Sequence, residues 1–322
     1  MATALTTTIT SACRSAKHKF TDNVFTSNIL LDRLWKNRWM TSGGDKMEFP
    51  TRFSTGSTAA ARNQGSEFTF AETDTIKSPA LDWVYYGVTG KVPFEKQYMA
   101  SGTNRVLELL SAELERMQKE LANLIGGHIY SGTGAESPAN ITGLTTINST
   151  TNTYAGINRA GTGMSEWQGN AASSQASLTH VELEVGINAC THNGKGPNTI
   201  VTTMAVKSLM KAAWAASYQR YNQPPKPGQT GAYASIMFGD FDFMGLPVIA
   251  DEQCPSGEVH IIRDEYLKFA VPVGADQFEI ETFDHESGYG GVKLRCAPML
   301  QLVCTAPKFF YRFTNVAACA TS

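Results

Sequence analysis

The segment best suited by composition to bind a phosphate is the glycine-rich stretch LIGGHIYSGTGAESPANITGL at residues 124–144. Its glycines stand at positions 126, 127, 132, 134 and 143. A phosphate loop precedes a helix, because the free N–H groups and the positive dipole end at a helix N-terminus attract anions. Here the glycines instead follow a predicted long helix and lie at its carbonyl end, and no Gly-Lys-Ser/Thr triplet occurs. We therefore predict C-cap and turn residues rather than a nucleotide site.

The titratable residues show no spacing that supports catalysis or metal binding. The six histidines form no H-E-x-x-H motif or other metal-ligand pattern, and no G-x-S-x-G elbow is present. Asp284, His285 and Glu286 are adjacent, but a turn with solvated charges is the better interpretation. Cys190 and His192 would diverge on a helix, because residues two apart point in different directions. We predict no catalytic residue, no metal ligand and no cofactor.

Length and composition indicate a folded protein with a substantial core. The chain has 322 residues, of which 42% are hydrophobic and 17% charged, and its net charge is -2. These values argue against long disordered regions and against a generally basic nucleic-acid-binding protein. No signal peptide or membrane-spanning run is evident, and the six cysteines lack C-x-x-C spacing. We expect free cytosolic thiols and no membrane partner.

Charge is distributed unevenly along the chain. Residues 1–46 contain seven Lys or Arg and three Asp, a net charge of +4, whereas the remainder holds 20 basic and 26 acidic residues, a net charge of -6. A basic arm on an acidic body suggests an anionic partner, and Arg14, Lys17 and Lys19 are its candidate contacts. The arm could equally pack on its own acidic body, and the sequence leaves both alternatives open.

Residues 27–40, SNILLDRLWKNRWM, predict a short amphipathic helix. Three leucines and Trp35 share one face of it, and Trp39 continues that face. A basic amphipathic helix can lie on a membrane surface, but such a stripe more often packs on protein. We expect Trp35 and Trp39 to contact protein, and we include both among the candidate intersubunit contacts.

Residues 47–92 predict a long two-stranded ribbon. Phe49 with Phe53, and Phe68 with Phe70, stand at the even spacings that place side chains on one face of a strand. The small, polar segment GSTAAARNQGS between the two pairs suits a hairpin tip. A two-stranded ribbon is marginally stable alone in water, so it must lie against something. We predict that these four phenylalanines contact a neighbouring subunit.

The remaining sequence predicts helices interspersed with buried strands. Residues 103–125 form a long amphipathic helix whose buried face ends at Leu124. Thr179 and Glu182 carry a capping-box signature at the start of a second helix. A buried strand at 198–203 leads into a third helix at 204–221. This helix stops at a Pro/Gly loop, and short strands follow to the end of the chain.

The order of these parts resembles the major capsid protein of tailed bacteriophages of the Hong Kong 97 type. Members of that family commonly end a long spine helix in a segment similar to G-x-G-x-x-x-P-x-G-(I/L). The matching residues here are Gly132, Gly134, Pro138, Gly143 and Leu144. Asn140, Ile141 and Thr142 are inserted where the family often has fewer residues. A family G-x-P-V strand is matched by Gly245, Pro247 and Val248.

The resemblance implies an α+β fold of the Hong Kong 97 type in four parts. These are an N-terminal arm (1–46), an extended β-hairpin E-loop (47–92), a P-domain with the spine helix (93–145, completed by strands of 274–322) and an α/β A-domain (146–273). The family places A-domain loops at symmetry axes, which makes the loop with Pro224, Pro225 and Pro227 a candidate axial loop.

The function implied by the resemblance is structural. Such a chain self-assembles into hexamers and pentamers of an icosahedral shell, in the virion, that encloses double-stranded DNA without sequence specificity. Its implied partners are further copies of itself and a portal protein, with assembly in the bacterial host cytoplasm. Some members control curvature through a long helical N-terminal extension. Because only 46 residues precede the predicted hairpin, we expect a separate scaffolding protein.

Two alternatives stay open at the level of sequence. An encapsulin-like protein compartment would have the same fold, and a distinct cargo-binding pocket would favour it. A soluble α/β enzyme belongs to a different class, and titratable residues that converge in one pocket would favour it.

Overall fold

The computed structural model describes most of the chain. The described residues are 28–52, 61, 63–65, 76–93, 103–135, 139–161, 164–172, 176–214, 242–273, 280–283 and 291–320.

Helices and strands are interspersed along the described chain. The helices are α1 (Ile29–Lys36), α2 (Thr103–Ser131), α3 (Leu144–Ile147), α4 (His180–Ala189) and α5 (Met204–Trp214). The strands are β1 (Trp39–Thr41), β2 (Lys46–Glu48), β3 (Thr51–Arg52), β4 (Ile76–Lys77), β5 (Ala80–Asp82), β6 (Val84–Tyr85), β7 (Val88–Pro93), β8 (Asn170–Ala172), β9 (Ser177–Thr179), β10 (Thr199–Thr202), β11 (Asp242–Phe243), β12 (Leu246–Ala250), β13 (Val259–Ile262), β14 (Leu267–Pro272), β15 (Ile280–Phe283), β16 (Gly291–Cys296), β17 (Met299–Cys304), β18 (Tyr311–Phe313) and β19 (Ala318–Ala320).

A six-stranded sheet in the order β11-β12-β10-β13-β18-β8 divides two hydrophobic cores. Ile200 and Ile261 lie directly opposite each other on β10 and β13 and belong to the second core, beneath α4 and α5. Val201 and Ile262, on the other face of the same strands, belong to the first core. This alternation follows from the two-residue period of a strand, and it explains why all of β10 is buried. The predicted strand at 198–203 is confirmed.

The first core is built around the long helix α2 and a four-stranded sheet. That sheet has the order β1-β14-β17-β6, and a three-stranded sheet β15-β16-β7 lies nearby because β7 contacts α2. Helix α1 packs on β14 and on α2. Two further strand pairs, β2 with β5 and β3 with β4, form the stem of an antiparallel ribbon.

Helix α2 is longer than the sequence predicts, because it continues through Gly126 and Gly127 to Ser131. Tertiary contact overrides the low helix propensity of glycine here. A Cβ atom on Gly126 would lie 2.8 Å from Nδ2 of Asn28, which donates a hydrogen bond to the Ala122 carbonyl at 3.0 Å. The missing side chain thus lets the start of α1 approach α2, and the prediction that these two glycines are turn residues is wrong.

The buried face of α2 also differs from the prediction at its end. Leu124 is exposed, whereas Ile125 and Ile129 are buried. With 3.6 residues per turn, the buried stripe advances from Leu121 to Ile125 and not to Leu124. On α5, Leu209 is exposed, whereas Val206 and Met210 are buried.

Helix α1 ends earlier than predicted, at Lys36, and the chain then forms β1. Strand β1 pairs in parallel with β14, with Trp39 opposite Ala270. Trp39 therefore belongs to an edge strand rather than to the helix face. Residues 39–41 form a strand rather than a helical turn because pairing with β14 gives their backbone N–H and C=O groups hydrogen-bond partners. At the end of a helix, several of these groups would lack a partner.

The C-terminal strands do not all join the part of the fold predicted for them. Strand β18 pairs with β13 in the six-stranded sheet, and β19 pairs in parallel with β9 beside α5. Strand β14, at 267–272, pairs instead with β17 in the first core. Thus the strands of 274–322 are shared between both cores.

Candidate functional site

The segment that joins α2 to α3 is the glycine-rich stretch considered above. The Gly143 N–H donates to the Gly132 carbonyl at 2.9 Å, and a Cβ atom on Gly132 would collide with the carbonyl oxygen of Ile141. The Asn140 Oδ1 atom accepts hydrogen bonds from the N–H groups of Thr133 and Gly134, both at 2.8 Å. These amides are already satisfied within the loop, so they do not form a free anion cradle.

Buried side chains fix this loop from both sides. The Tyr86 hydroxyl accepts from the Ile141 N–H at 3.2 Å and lies 2.8 Å from Nδ1 of His128. Burial raises the pKa of Tyr86 to about 12, so its hydroxyl stays protonated at neutral pH. Gln301 accepts from the Thr142 N–H and donates to the Asp82 carbonyl at 2.7 Å. The loop is therefore rigidly attached to the ribbon stem.

A cleft of 240 Å³ opens between this loop and the ribbon stem. Its lining residues are 80–84, 133–135, 139, 140, 142, 153–156 and Gln301. No titratable pair converges on it within this lining, where Asp82 supplies the one carboxylate. That arrangement does not support acid–base or nucleophilic chemistry, which needs a positioned base beside its partner.

Arg159 is fully buried where the chain leaves α3. Its Nη1 donates to the carbonyls of Thr146, Ile147 and Ser149 at 3.1, 2.7 and 2.6 Å, and its guanidinium lies 4.7 Å from the centre of the Tyr154 ring. Burial lowers its pKa to about 10, so the cation persists at neutral pH. A cation at the carbonyl end of α3 compensates the helix dipole and adds a donor to carbonyls of which Thr146 and Ser149 also accept from backbone N–H groups.

Asp251 connects three separate segments at the junction of the two cores. Its Oδ2 accepts from the Tyr130 hydroxyl at 2.9 Å and from the Leu30 N–H at 3.4 Å, and its Oδ1 accepts from the Gln253 N–H at 2.9 Å. The carboxylate thus caps the N-terminus of α1 from outside the helix, where Asn28 provides no side-chain cap. The contact joins α1 and α2 to the end of β12.

Glu258, His260 and Arg312 form a cluster beside Asp251, in which His260 is fully buried and the other two side chains are partly exposed. Nε2 of His260 lies 3.0 Å from the Glu258 carboxylate, and Arg312 donates to the same carboxylate at 3.1 and 2.5 Å. Burial alone would raise the pKa of Glu258, but the hydrogen bonds from His260 and Arg312 lower it to about 2. Burial lowers the pKa of His260. Because the His260 side chain is fully buried, its imidazole is not accessible to a substrate.

Cys254 lies near this cluster but is not an activated nucleophile. Burial, with the nearby Glu258 and Asp251 carboxylates, raises the pKa of its thiol far above the usual range. A reactive cysteine requires the opposite shift. Among the described residues no group of three His, Cys, Asp or Glu side chains could hold a metal ion. The described cysteines are free thiols.

The candidate aromatic contacts divide into buried and exposed residues. Phe49 is 2% exposed and packs 6.2 Å from the Trp167 ring. Trp35 is also buried, with its ring 6.3 Å from that of Phe269. Their own chain covers both side chains, which corrects the prediction that they contact a neighbouring subunit. Trp39 is exposed on the edge strand β1, so its side chain is accessible to a neighbour.

Other predicted positions lie outside the described residues. These are Phe53, Phe68, Phe70, Arg14, Lys17, Lys19, Pro224, Pro225 and Pro227. Within the described part of the basic arm, Arg33 lies 3.6 Å from Asp264 and donates to Thr199 at 2.9 Å. Lys46 pairs with Asp82 at 3.0 Å. These two cations therefore contact the body of their own chain.

Sequence reasoning missed the residues that hold the two cores together. Arg159, Asp251 and His260 carry no local pattern, because each acts through contacts with segments distant in sequence. A buried charged residue can be recognised from sequence alone only when its partner stands at a helical or strand spacing. In the described residues no helix is long and apolar enough to cross a membrane.

The whole fold is similar to solved subunits of bacteriophage-type capsids. The capsid asymmetric unit of cyanophage A-1(L) has a TM-score of 0.65 at 14% identity, covering 90% of this chain and 93% of that chain. The capsid of a native GTA particle has a TM-score of 0.59 at 11% identity, covering 88% and 90%. The satellite phage P4 procapsid has a TM-score of 0.54 at 12% identity, covering 95% and 92%. The predicted Hong Kong 97-like α+β fold is confirmed.

The fold thus defines a shell subunit of the tailed-phage class, and the sequence identifies the family. Residues 93–286, more than half of the chain, match the family model of the SU10 major capsid protein, and the chain belongs to that family. No curated protein sequence matches it. The protein is a bacteriophage major capsid protein, a structural component of the virion and not an enzyme.

Proposed function

We propose that this chain assembles into hexamers and pentamers of an icosahedral shell that encloses double-stranded DNA. The observation that carries the proposal is the family match over residues 93–286. The similarity to subunits of capsids, over about nine-tenths of each chain for the first two, supports it further. The DNA would be held without sequence specificity, because a shell contacts packaged DNA through its phosphates and not through base edges.

Part of the intersubunit contact would be made by the ribbon that begins at β2–β5 and β3–β4. Its base is covered by its own chain through Met47, Phe49 and Leu81, whereas Ile76, farther along the ribbon, is exposed. An exposed two-stranded ribbon gains stability from a surface to lie on. Phe53, Phe68 and Phe70 would contact the neighbouring subunit beyond Ile76, and Trp39 would add an exposed contact on β1.

The basic arm and the proline-rich loop complete the proposal. Arg14, Lys17 and Lys19 would contact an acidic surface or the DNA, and such contacts weaken as salt rises. The loop with Pro224, Pro225 and Pro227 would lie at the symmetry axes. Rings of five and of six copies use the same sequence, so this loop would have to fit two different distances between neighbouring copies. Neutralising the three cations should reduce the salt dependence of shell stability, and an unchanged salt dependence would contradict that role.

A portal protein and a separate scaffolding protein would take part in assembly in the host cytoplasm. Flat sheets of hexamers and closed shells use nearly the same contacts, so curvature needs a further determinant. Electron microscopy of the chain expressed alone tests whether it is a shell protein and whether it controls curvature without a partner. Ring-shaped capsomers, tubes, sheets or shells would support a shell protein, whereas a persistent monomer at high concentration would contradict it.

Two preparations, the chain expressed alone and shells isolated from infected cells, distinguish the roles of scaffold and DNA. Uniform closed shells from this chain alone would show that no scaffold is required. Shells isolated from infected cells should contain nuclease-protected double-stranded DNA, and shells that instead contain one folded protein would indicate a protein compartment.

A further inference from the structure

Strand β1 forms one edge of the four-stranded sheet β1-β14-β17-β6. On its inner side, the Thr41 carbonyl accepts from the Val273 N–H at 2.8 Å. Backbone groups of successive residues in a strand point to opposite sides, so the N–H and C=O groups of Met40 point away from β14. No other described strand pairs with β1 on that side. The strand therefore leaves a backbone donor and an acceptor open at the edge of the sheet.

The open edge of β1 is apolar and carries no charge. Trp39 and Met40 are 37% and 38% exposed, and Val273, directly after β14, is 68% exposed. Residues 39–44 include no charged residue and no proline. Proteins commonly protect an edge strand with such residues, as β7 does with the exposed Lys91 at the edge of its three-stranded sheet. Because β1 lacks this protection, its edge is suited to pair with a further strand.

The N-terminal sequence, outside the described residues, has the composition of such a strand. Residues 2–12 read ATALTTTITSA, and the first charged residue of the chain is Arg14. Five of the six residues at 5–10 are β-branched, which favours a strand. Alternation along a strand would place Leu5 and Ile9 on one face and three threonines on the other. An uncharged strand with one apolar face matches an uncharged, apolar edge.

We propose that residues 5–10 of one copy pair, as an added strand, with the open edge of β1 in a neighbouring copy. Backbone hydrogen bonds to Met40 would hold the segment, and its apolar side chains would contact the exposed side chains at that edge. The inference rests on the proposed function, because it names a contact between copies of this chain in a shell.

The exposure of the edge and the length of the arm favour a neighbouring copy over the same chain. The chain's own residues leave Trp39 and Met40 accessible. Residues 11–28 join the segment to α1, and at full extension they span roughly 60 Å. Helix α1 packs on β14, so the arm starts beside the sheet and is long enough to reach an adjoining copy. Because the donated segment and the accepting edge are different surfaces, the contact is head-to-tail, as the closure of a ring requires.

The test is amide hydrogen exchange in the full-length chain, measured at residues 39–41 by mass spectrometry with fragmentation. The Met40 amide should exchange about tenfold more slowly, or slower still, in capsomers than in the dissociated chain, because pairing with the segment makes its exchange depend on opening. The Thr41 amide lies on the β14 side and should be slow in both states, which makes it the internal reference.

Two pairs of substitutions test whether the segment itself causes the protection. Thr7→Pro with Thr8→Pro removes two adjacent backbone N–H groups, so one of the lost donors faces β1 whichever side of the segment pairs. Met40 should then exchange in capsomers as fast as in the dissociated chain, and capsomers should dissociate at a higher protein concentration. Thr7→Val with Thr8→Val retains β-branched side chains and should leave both measurements unchanged. Circular dichroism of the dissociated chain checks that each variant folds, and deletion of residues 2–12 gives the same expectation without introducing proline.

The outcomes separate this contact from the proposed function. Fast exchange of Met40 in wild-type capsomers, or protection that survives both the proline change and the deletion, would overturn the contact. Protection that is equally strong in the dissociated chain would show pairing within one chain and would overturn it as well. A wild-type chain that forms no capsomer would instead contradict the proposed function itself.

Discussion

The two cores of the molecule are stabilised in different ways. The first core contains buried polar groups, among them Asn28, Arg159 and Gln301, whose hydrogen bonds hold the glycine-rich loop and α1 in place. The second core, beneath α4 and α5, consists of apolar side chains such as Met210 and Trp214, with one polar tie from Trp214 to the Ala320 carbonyl at 2.9 Å.

This difference separates two tasks within one subunit. Directional contacts fix the first core in one geometry, because a buried polar group that loses its partner costs free energy. The second core is less constrained in direction, because its buried side chains are mostly apolar. We infer that the loss of polar groups from the first core affects folding more strongly than comparable changes around the second.

The largest effect is expected from Gly132→Ala. A Cβ atom there would collide with the Ile141 carbonyl oxygen and lie 2.5 Å from that of His128, and both obstacles are backbone. Relief requires the loop to separate from the end of α2. We expect little folded protein, with a loss of roughly 3 kcal/mol or more in the free energy of unfolding, measured by urea titration. The control is Gly87→Ala between β6 and β7, where no atom lies within 4 Å of the added Cβ and the backbone is not left-handed, so it should cost less.

Arg159→Met should have the next largest effect. The variant keeps an unbranched side chain but removes the guanidinium that donates to three carbonyl groups at the end of α3. Loss of these hydrogen bonds, with the cavity left by the shorter side chain, should destabilise the protein by about 3 kcal/mol, offset in part because a buried charge is also removed. Arg159→Lys, which retains the charge and one donor group, should recover part of that loss. A methionine variant as stable as wild type would show that the loop does not depend on this tie.

Tyr130→Phe tests the contact between the two cores. It removes the hydroxyl that donates to Asp251 at 2.9 Å and leaves the ring, which lies 5.4 Å from that of His260. We expect a loss of about 1–2 kcal/mol, since a hydrogen bond to a charged acceptor is lost while packing is kept. Tyr311→Phe, whose ring is only half-buried, is the matched control and should change the stability less.

Acid should destabilise the cluster at the junction of the cores. The pKa of Glu258 is lowered from 4.5 to about 2, so its stabilising contribution is present above pH 4.5 and is lost as the pH falls toward 2. The pKa of His260 is lowered from 6.5, so the unfolded chain binds that proton more readily and stability falls as the pH drops below 6.5. Both shifts act in the same direction. Urea unfolding between pH 8 and pH 5 should show the His260 part, and His260→Gln should flatten it.

Local patterns in the sequence predicted the second core better than the first. The capping box of Thr179 and Glu182 and the buried strand β10 are both present, because each depends on residues adjacent in the chain. The glycine-rich loop was assigned correctly as a turn only beyond Ser131. Gly126 and Gly127 are helical because of Asn28, a partner nearly a hundred residues away in sequence, and no local pattern contains that information.

The same reasoning explains the errors about aromatic residues. The even spacing of Phe49 with Phe53 predicted an extended chain, but it could not show that Trp167 packs against Phe49. Burial by a distant segment is a property of the fold and not of the strand. The ties at Arg159 and Asp251 could not be predicted for the same reason, whereas the order of elements was sufficient to indicate the family.

The smallest effect is expected from Thr179→Ala at the start of α4. The Thr179 hydroxyl accepts from the Glu182 N–H at 3.2 Å, and the Glu182 carboxylate accepts from the Thr179 N–H at 2.8 Å. Alanine removes the first of these bonds and leaves the second, so the loss should be about 1 kcal/mol. Thr179→Ser retains the hydroxyl and should unfold at nearly the wild-type urea concentration. If the loss with alanine instead approached that of Arg159→Met, the second core would depend on directional contacts as strongly as the first, and the distinction between the two cores would fail.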